Sequence, residues 1–182
     1  IQDFDLRLVK SVTDRFNRPL NLEIGTDYDI AKIAADLMPD WVCIVPEKRE
    51  ERTTEGGLNL LDKTFYNKTL DICQLLKKES SQTKISLFVE ANDDIFLTID
   101  SMREFVDAVE IHTGEFAKDF LEKKPIQEHL DQFKKIKARA ADIGIGYHAG
   151  HGLTDLSVLP LLQEKLFSEY NIGHWIISEA IF

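Results

Sequence analysis

The amino-acid sequence predicts an α/β fold built around a parallel sheet, because short apolar strands alternate with amphipathic helices along the whole chain. Six strand-like runs are present, and each strand with its following helix takes roughly 20 to 45 residues. A connection of that length carries a helix across the sheet and returns the chain to a parallel neighbour. The 182 residues contain no linker-like stretch, so we predict one domain over residues 1–182.

The helices are predicted where apolar residues recur at helical spacing. The first such pattern covers residues 4–16. Asp27 can accept the free backbone N–H groups of a second helix, which runs through Leu37. The remaining helices are expected over residues 63–78, 95–105, 126–143 and 156–167, with a last one beginning near Ser178.

The strands are predicted where short runs of aliphatic, Cys or aromatic residues are bounded by polar or turn-forming residues. Pro46 stops the second of these runs, because proline cannot donate a hydrogen bond to a neighbouring strand. The predicted strands cover residues 20–24, 41–45, 85–89, 108–111, 145–149 and 171–177, and residues 112–125 are expected to form a loop.

The residues at the strand ends favour a closed (β/α)8 TIM barrel over an open doubly wound sheet. A barrel brings the carboxyl end of every strand to one mouth, whereas an open sheet binds ligands mainly at one switch point. Here all six strand ends carry acidic, basic, histidine or glycine residues, and the chain has no Gly-rich dinucleotide motif or P-loop. These ends lie at Glu23, residues 46–49, Glu90, residues 110–114, residues 150–152 and residues 173–174.

A closed barrel needs eight strands, whereas this sequence supplies about six. The chain also begins at Ile1 rather than at a Met. We therefore expect an incomplete barrel, with its first two strands preceding Ile1 and its last helix continuing beyond Phe182.

The charge balance limits the kinds of partner. The chain has 22 basic and 32 acidic residues and a net charge of -10, which argues against duplex nucleic acid or an anionic membrane as the main partner. No apolar run approaches the ~20 residues of a membrane span. Cys43 and Cys73 lie in apolar patterns that are typical of buried, reduced thiols. These observations indicate a cytoplasmic protein.

Two carboxylates and three histidines are the candidate acid–base groups. Glu23 and Glu110 lie within apolar strands, where burial would raise the pKa of a carboxyl group and suit it to proton transfer. Alternatively, each is a structural carboxylate paired with a Lys or Arg. His112, His151 and His174 each follow a strand, and their recurrence at strand ends favours a functional role over core packing.

The last two strand ends form the most specific local pattern. Barrel enzymes often bind phosphate with the loops after their final two strands, and here those loops are residues 149–155 and 171–174. Their glycines would let backbone N–H groups approach an anion, and Thr154 or Asp155 could cap the following helix. Alternatively, the glycines serve only tight turns.

A polar segment over residues 46–57 follows the second strand. It ends in paired glycines and contains Lys48, Arg49 and Arg52 within an otherwise acidic protein. This composition predicts a mobile lid that closes over an anionic substrate. The alternative is a merely solvated connection.

Five motifs occur in order along essentially the whole chain. They are Asn-Leu-Glu over residues 21–23, Val-Pro-Glu-Lys-Arg over 45–49 with Thr-Thr-Glu-Gly-Gly over 53–57, Glu-Ile-His-Thr-Gly over 110–114, Ala-Gly-His-Gly-Leu over 149–153 and Asn-Ile-Gly-His over 171–174. Together they closely resemble the motifs of the pyridoxine 5′-phosphate synthase family of vitamin B6 biosynthesis.

The resemblance implies a cytoplasmic (β/α)8 barrel, typically a homo-octamer, that uses neither a metal nor an organic cofactor. Such an enzyme condenses 3-amino-2-oxopropyl phosphate with 1-deoxy-D-xylulose 5-phosphate and releases phosphate and water. By motif, Glu23 resembles the general base, His151 the proton donor and Glu110 a residue that stabilises a transition state. The implied substrate contacts are Thr53 for the deoxyxylulose phosphate, and Gly152, Gly173 and His174 for the aminoketone phosphate.

Some family features differ or are absent. His148 stands where the family usually has Asn, and Glu90 where Asp is common. The family's Asn-x-Asp-His motif and its loop with His and Arg have no counterpart in the sequence. Two alternative functions therefore stay open: a metal-dependent barrel hydrolase that uses the three histidines, and a non-catalytic barrel that binds a sugar phosphate.

Overall fold

A computed structural model describes residues 3–47 and 56–181 of the chain. The strands are β1 (Asn21–Ile24), β2 (Trp41–Ile44), β3 (Lys84–Val89), β4 (Ala108–His112), β5 (Gly146–Gly150) and β6 (Glu169–Asn171). The α-helices are α1 (Asp3–Arg15), α2 (Tyr28–Leu37), α3 (Lys63–Glu79), α4 (Asp93–Asp100), α5 (Gly114–Leu121), α6 (Gln127–Asp142), α7 (Val158–Gln163) and α8 (His174–Ile181). A 3-10 turn covers Arg103–Phe105.

The sheet is parallel throughout, and its strands lie side by side in the order in which they occur along the chain. Side chains from the two outer strands, Glu23 of β1 and Asn171 of β6, line the same cleft, so the sheet curls toward itself. The predicted α/β fold is confirmed, and its form is a half-barrel of six parallel strands.

The two faces of the sheet differ in chemistry because successive side chains of a strand point to opposite sides. The helix-facing side carries apolar residues such as Val42, Leu87 and Ile111, which have no exposed surface and belong to one hydrophobic core with the helices. The concave side carries polar residues, among them Glu110 and His148. The apolar face therefore packs the sheet against the helices, while the concave face presents the polar and ionisable side chains.

Local sequence signals explain several boundaries. The Asp27 carboxylate accepts hydrogen bonds from the N–H groups of Asp29 and Ile30, so the predicted cap of α2 is confirmed. The helix predicted over residues 156–167 is shorter than expected. It ends at Gln163, after which Lys165 has a left-handed backbone conformation with φ of 50° and turns the chain back toward the sheet.

Two predicted segments are wrong. Residues 112–125, predicted as a loop, contain helix α5, whose Phe116 and Ala117 are buried against the core. The strand predicted over residues 171–177 is instead β6 at Glu169–Asn171, and residues 174–177 belong to α8. A short apolar run such as residues 175–177 does not distinguish a strand from a helix by periodicity.

A helix that spans a membrane must be both long and apolar. None of the helices within residues 3–47 and 56–181 is long and apolar enough to cross a bilayer.

Asp107 joins three strands at the amino end of the sheet, and its loss is expected to destabilise the fold. Its carboxylate accepts the Ile85 N–H at 2.7 Å and the Lys77 ammonium at 2.6 Å, while its carbonyl accepts the Gly146 N–H at 2.8 Å. Asp107→Ala leaves the Ile85 N–H and Lys77 without this acceptor and should lower the free energy of unfolding by about 1–3 kcal/mol.

The measurement is chemical denaturation of the full-length protein. Asp100→Ala is the matched control, because Asp100 is exposed and its carboxylate pairs with the exposed Arg103. Equal stability losses in the two variants would contradict a joining role for Asp107.

Candidate active site

A cleft of about 890 Å³ lies at the carboxyl ends of the strands. It is where a parallel barrel places its active site. Thr53 lies outside the described residues, and His112 lines a neighbouring cavity. The other predicted catalytic and substrate-binding residues line this cleft. The lining includes Asn21, Glu23, Phe88, Glu110, His151, Gly152, Thr154, Asn171, Gly173 and His174.

Glu110 is the buried carboxylate of the site, with 4% of its surface exposed. Burial raises the pKa of its carboxyl group to about 7, and the nearby Glu23 adds to this increase. The Glu110 Oε2 atom accepts hydrogen bonds from Asn171 Nδ2 at 2.6 Å and from Cys43 Sγ at 3.6 Å, and both bonds oppose the increase. The predicted burial of Glu110 is therefore confirmed, although Asn171 and the Cys43 thiol are its partners rather than a Lys or Arg.

Gly150 on β5 makes room for the Glu110 side chain. The two residues face the same side of adjacent strands, and a Cβ atom at Gly150 would overlap the Glu110 carboxylate. Gly150 does not have a left-handed backbone conformation, so its φ angle does not require a glycine. The requirement comes from the close approach of the Glu110 side chain.

The burial predicted for Glu23 is wrong. Its side chain is exposed, because β1 is an outer strand of the described sheet and Glu23 faces the open cleft. The apolar neighbours in sequence, Leu22 and Ile24, face the helices instead, as the alternation of a strand requires. The site thus contains two carboxylates in different environments, one buried at Glu110 and one accessible at Glu23.

His151 occupies a strained turn immediately after β5. Its φ is 75° and that of Gly152 is 78°, and a left-handed conformation is costly for a residue with a Cβ atom. The Thr113 N–H donates to the Gly150 carbonyl at 2.9 Å, and the Thr113 hydroxyl lies 2.8 Å from the carbonyl oxygens of both Gly150 and His151. These contacts from the end of β4 hold the turn in place.

The His151 ring is partly covered although the residue as a whole is exposed. It packs against the rings of Phe88 and His112, and its partial burial lowers the pKa of the imidazole. The neighbouring His112 lowers this pKa further, while Glu23 and Glu90 oppose the change.

His112, the last residue of β4, pairs with Glu90 just after β3. Its Nδ1 atom lies 3.1 Å from Glu90 Oε1, which also accepts the backbone N–H of Gly57 at 2.9 Å. The sequence predicts a functional role for His112 but indicates neither its partner nor a role for Glu90. The signal was their shared position at the ends of adjacent parallel strands, which places their side chains at one edge of the sheet.

The two predicted phosphate-binding segments meet at the cleft. Gly152 lies in the turn after β5, while Gly173 immediately precedes α8 and His174 is its first residue. Free backbone N–H groups at the start of a helix favour an anion. The prediction that Thr154 or Asp155 caps the following helix is wrong, because the N-cap of α7 is Ser157, which makes no side-chain capping bond. The Thr154 hydroxyl instead accepts the N–H groups of Leu156 and Ser157 in the turn before that helix.

The site was predicted to hold no metal ion, and the alternative of a metal-dependent hydrolase needs a cluster of metal-ligating side chains. Over residues 3–47 and 56–181, no cluster of three or more His, Cys, Asp and Glu residues has an arrangement that could hold a metal ion.

Known structures with a similar fold are barrel enzymes of low sequence identity. A HpcH/HpaI aldolase/citrate lyase family protein from Burkholderia cenocepacia superposes with a TM-score of 0.58 at 10% identity, over 99% of this chain and 78% of that one. The EAL domain of Mycobacterium smegmatis DcpA gives a TM-score of 0.55 at 14% identity, over 90% of this chain and 73% of that one. These similarities support the fold alone.

Sequence relatives are closer. The chain is 38% identical over 183 residues to pyridoxine 5′-phosphate synthase of Sulfurihydrogenibium sp., which covers all of this chain and 72% of that protein. It is 36% identical to the synthase of Hydrogenobaculum sp. over all of this chain and 73% of that protein. The family model described as pyridoxal phosphate biosynthesis protein PdxJ matches residues 1–182. The chain therefore belongs to the PdxJ family.

Proposed function

We propose that this protein is a pyridoxine 5′-phosphate synthase, which condenses 3-amino-2-oxopropyl phosphate with 1-deoxy-D-xylulose 5-phosphate and releases phosphate and water. The observation that carries the proposal is the meeting of Glu23, Glu110 and His151 with two glycine-containing turns in one cleft. Relatives at 36–38% identity bear this enzyme name. Neither a metal-dependent hydrolase nor a binding-only barrel is favoured by this family membership.

The acid–base groups suit a condensation that moves several protons. Glu23 is accessible from the cleft and serves as the general base. A lowered pKa makes the His151 imidazolium a stronger acid, so that it donates its proton readily. Glu110, with a pKa of about 7, exchanges a proton near neutral pH and stabilises charge that develops in the transition state.

The two anionic substrates need separate contacts. Gly152, Gly173 and His174 are assigned to the aminoketone phosphate by the family motif. In support of this assignment, all three residues line the cleft, and His174 begins α8. Thr53 is assigned to the deoxyxylulose phosphate by the family motif. The same resemblance supports a cytoplasmic homo-octamer, which sedimentation of the purified full-length protein would measure.

Replacing the accessible carboxylate tests the assignment of the base. Glu23→Gln keeps the size of the side chain but removes its ability to accept a proton, so turnover should fall by about 100-fold or more. Binding of 1-deoxy-D-xylulose 5-phosphate, measured by calorimetry, should be largely kept. The assay follows pyridoxine 5′-phosphate formation from both substrates by the full-length protein.

Glu128→Gln is the matched control, since Glu128 is an exposed carboxylate in the first turn of α6. Unchanged turnover in Glu23→Gln would refute the role of Glu23. A wild-type protein that binds the sugar phosphate but forms no product would favour the binding-only barrel, and activity that depends on a bound divalent ion would favour the metal-dependent alternative.

The raised pKa of Glu110 predicts a pH-dependent stability. The Glu110 carboxyl group has an ordinary pKa of 4.5 and a pKa of about 7 in the folded protein. Between these two pH values the folded state therefore binds more protons than the unfolded state. The contribution of Glu110 to the free energy of unfolding is therefore present below the window and is lost as the pH rises through it.

Glu110→Gln removes this titration. Relative to that variant, the wild-type protein should lose up to about 3 kcal/mol of unfolding free energy between about pH 5 and pH 8. Denaturant titrations at several pH values measure the difference. Parallel stability curves for the two proteins would show that Glu110 does not titrate in this range.

A further inference from the structure

The paired side chains of Glu90 and His112 have no part in the roles assigned above. Both are largely buried, with 16% and 8% of their side-chain surfaces exposed. The Glu90 Oε1 atom lies 3.1 Å from His112 Nδ1, and a carboxylate at that distance restrains the orientation of the imidazole ring and leaves Nε2 on its opposite side. Because Glu90 Oε1 also accepts the Gly57 N–H, the carboxylate is itself anchored to the backbone.

The His112 ring lies beside the His151 ring. The two ring centroids are 4.8 Å apart, with an angle of 42° between the ring planes. A Cβ atom built on Gly114 would lie 2.8 Å from His112 Nε2 and 3.1 Å from His151 Cδ2, so both rings converge above that glycine. Phe88 packs against both rings, at 5.4 Å from His112 and 6.2 Å from His151.

We propose that Glu90 and His112 are positioning residues for the His151 imidazole. Glu90 fixes the plane of the His112 ring, and that ring, with Phe88, holds His151 in the orientation from which it donates its proton. The inference deepens the proposed synthase function and rests on it for the catalytic role of His151. The interaction between the two imidazoles does not depend on that role.

Electrostatics agree with the packing. A positive charge on His112 disfavours a second charge on His151, and His112 is a direct cause of the lowered pKa of His151. Other ionisable groups line the two cavities that His112 and His151 border. They are Glu23 of β1, Glu90 after β3, Glu110 of β4, Glu115 of α5, His129 of α6 and His174 of α8.

Glu115 offers a matched control variant, because it lines the same cavity as Glu90 and His112. This cavity has a volume of about 400 Å³ and lies beside α5 and α6. The Glu115 carboxylate is exposed and pairs with Lys118 at 3.5 Å. Glu115→Gln therefore removes one negative charge from the same cavity without removing the carboxylate that pairs with His112.

Steady-state kinetics of the full-length protein test the positioning role. In Glu90→Gln, kcat should fall about tenfold while KM changes by less than about threefold, because the reacting groups are misoriented and the substrates still bind. Glu90→Asp keeps a carboxylate and should recover part of the loss, and Glu115→Gln should leave both constants unchanged. Equal kcat values for Glu90→Gln and Glu115→Gln would overturn the inference.

Histidine titration gives a readout that does not require turnover. With ¹⁵N-labelled histidine followed by NMR, His112→Gln should move the midpoint of the His151 titration to higher pH, since the neighbouring imidazole has been removed. An unchanged midpoint would overturn the inference. If His112→Gln does not fold, Gly114→Ala separates the two rings and should move the midpoint in the same direction.

The two proposals fail in different ways. A wild-type protein without synthase turnover would refute the proposed function, and the His151 titration would still decide whether His112 acts on its neighbour. Normal synthase turnover with no effect of Glu90→Gln would refute only the positioning role.

Discussion

Burial of one carboxyl group, that of Glu110, is the constraint on which the concave face of this sheet depends. A carboxylate within a barrel interior is stable only if neighbouring strands supply hydrogen-bond donors and space for it. Here β6 supplies the Asn171 amide, β2 supplies the Cys43 thiol, and β5 supplies the space above Gly150. The same arrangement that makes the group tolerable also holds its pKa near neutrality, so stability and proton transfer have a common structural origin.

The residues at the end of β4 contact and support the turn that contains His151. Thr113 bonds to the carbonyl groups of that turn, Gly114 approaches Gly152 closely, and His112 contacts the His151 ring. A left-handed histidine persists only where the surrounding structure holds it. Three consecutive residues of one strand end therefore fix both the backbone and the ring of a residue that lies almost forty positions away in sequence.

The sequence predicts the alternation of strands and helices well because each strand has one apolar face toward the helices and a polar end. It also identifies most of the cleft, since every parallel strand delivers its carboxyl end to the same edge. Glu23 illustrates the limit. Its apolar neighbours in the chain indicate burial, but they point to the opposite face, and exposure depends on what lies beside β1. The bonds of Glu110 to Cys43 and Asn171 likewise depend on side chains meeting across the curled interior, which no local pattern contains.

The close contact between Gly150 and Glu110 restricts which residues the two positions can accept. Glu110 already occupies the space that a larger residue at position 150 would need, so the two positions on neighbouring strands share one volume. Neither can be enlarged independently: a methyl group at 150 requires a shorter or displaced acid at 110. Gly173 differs in this respect, because a Cβ atom added there would meet no other atom within 4 Å.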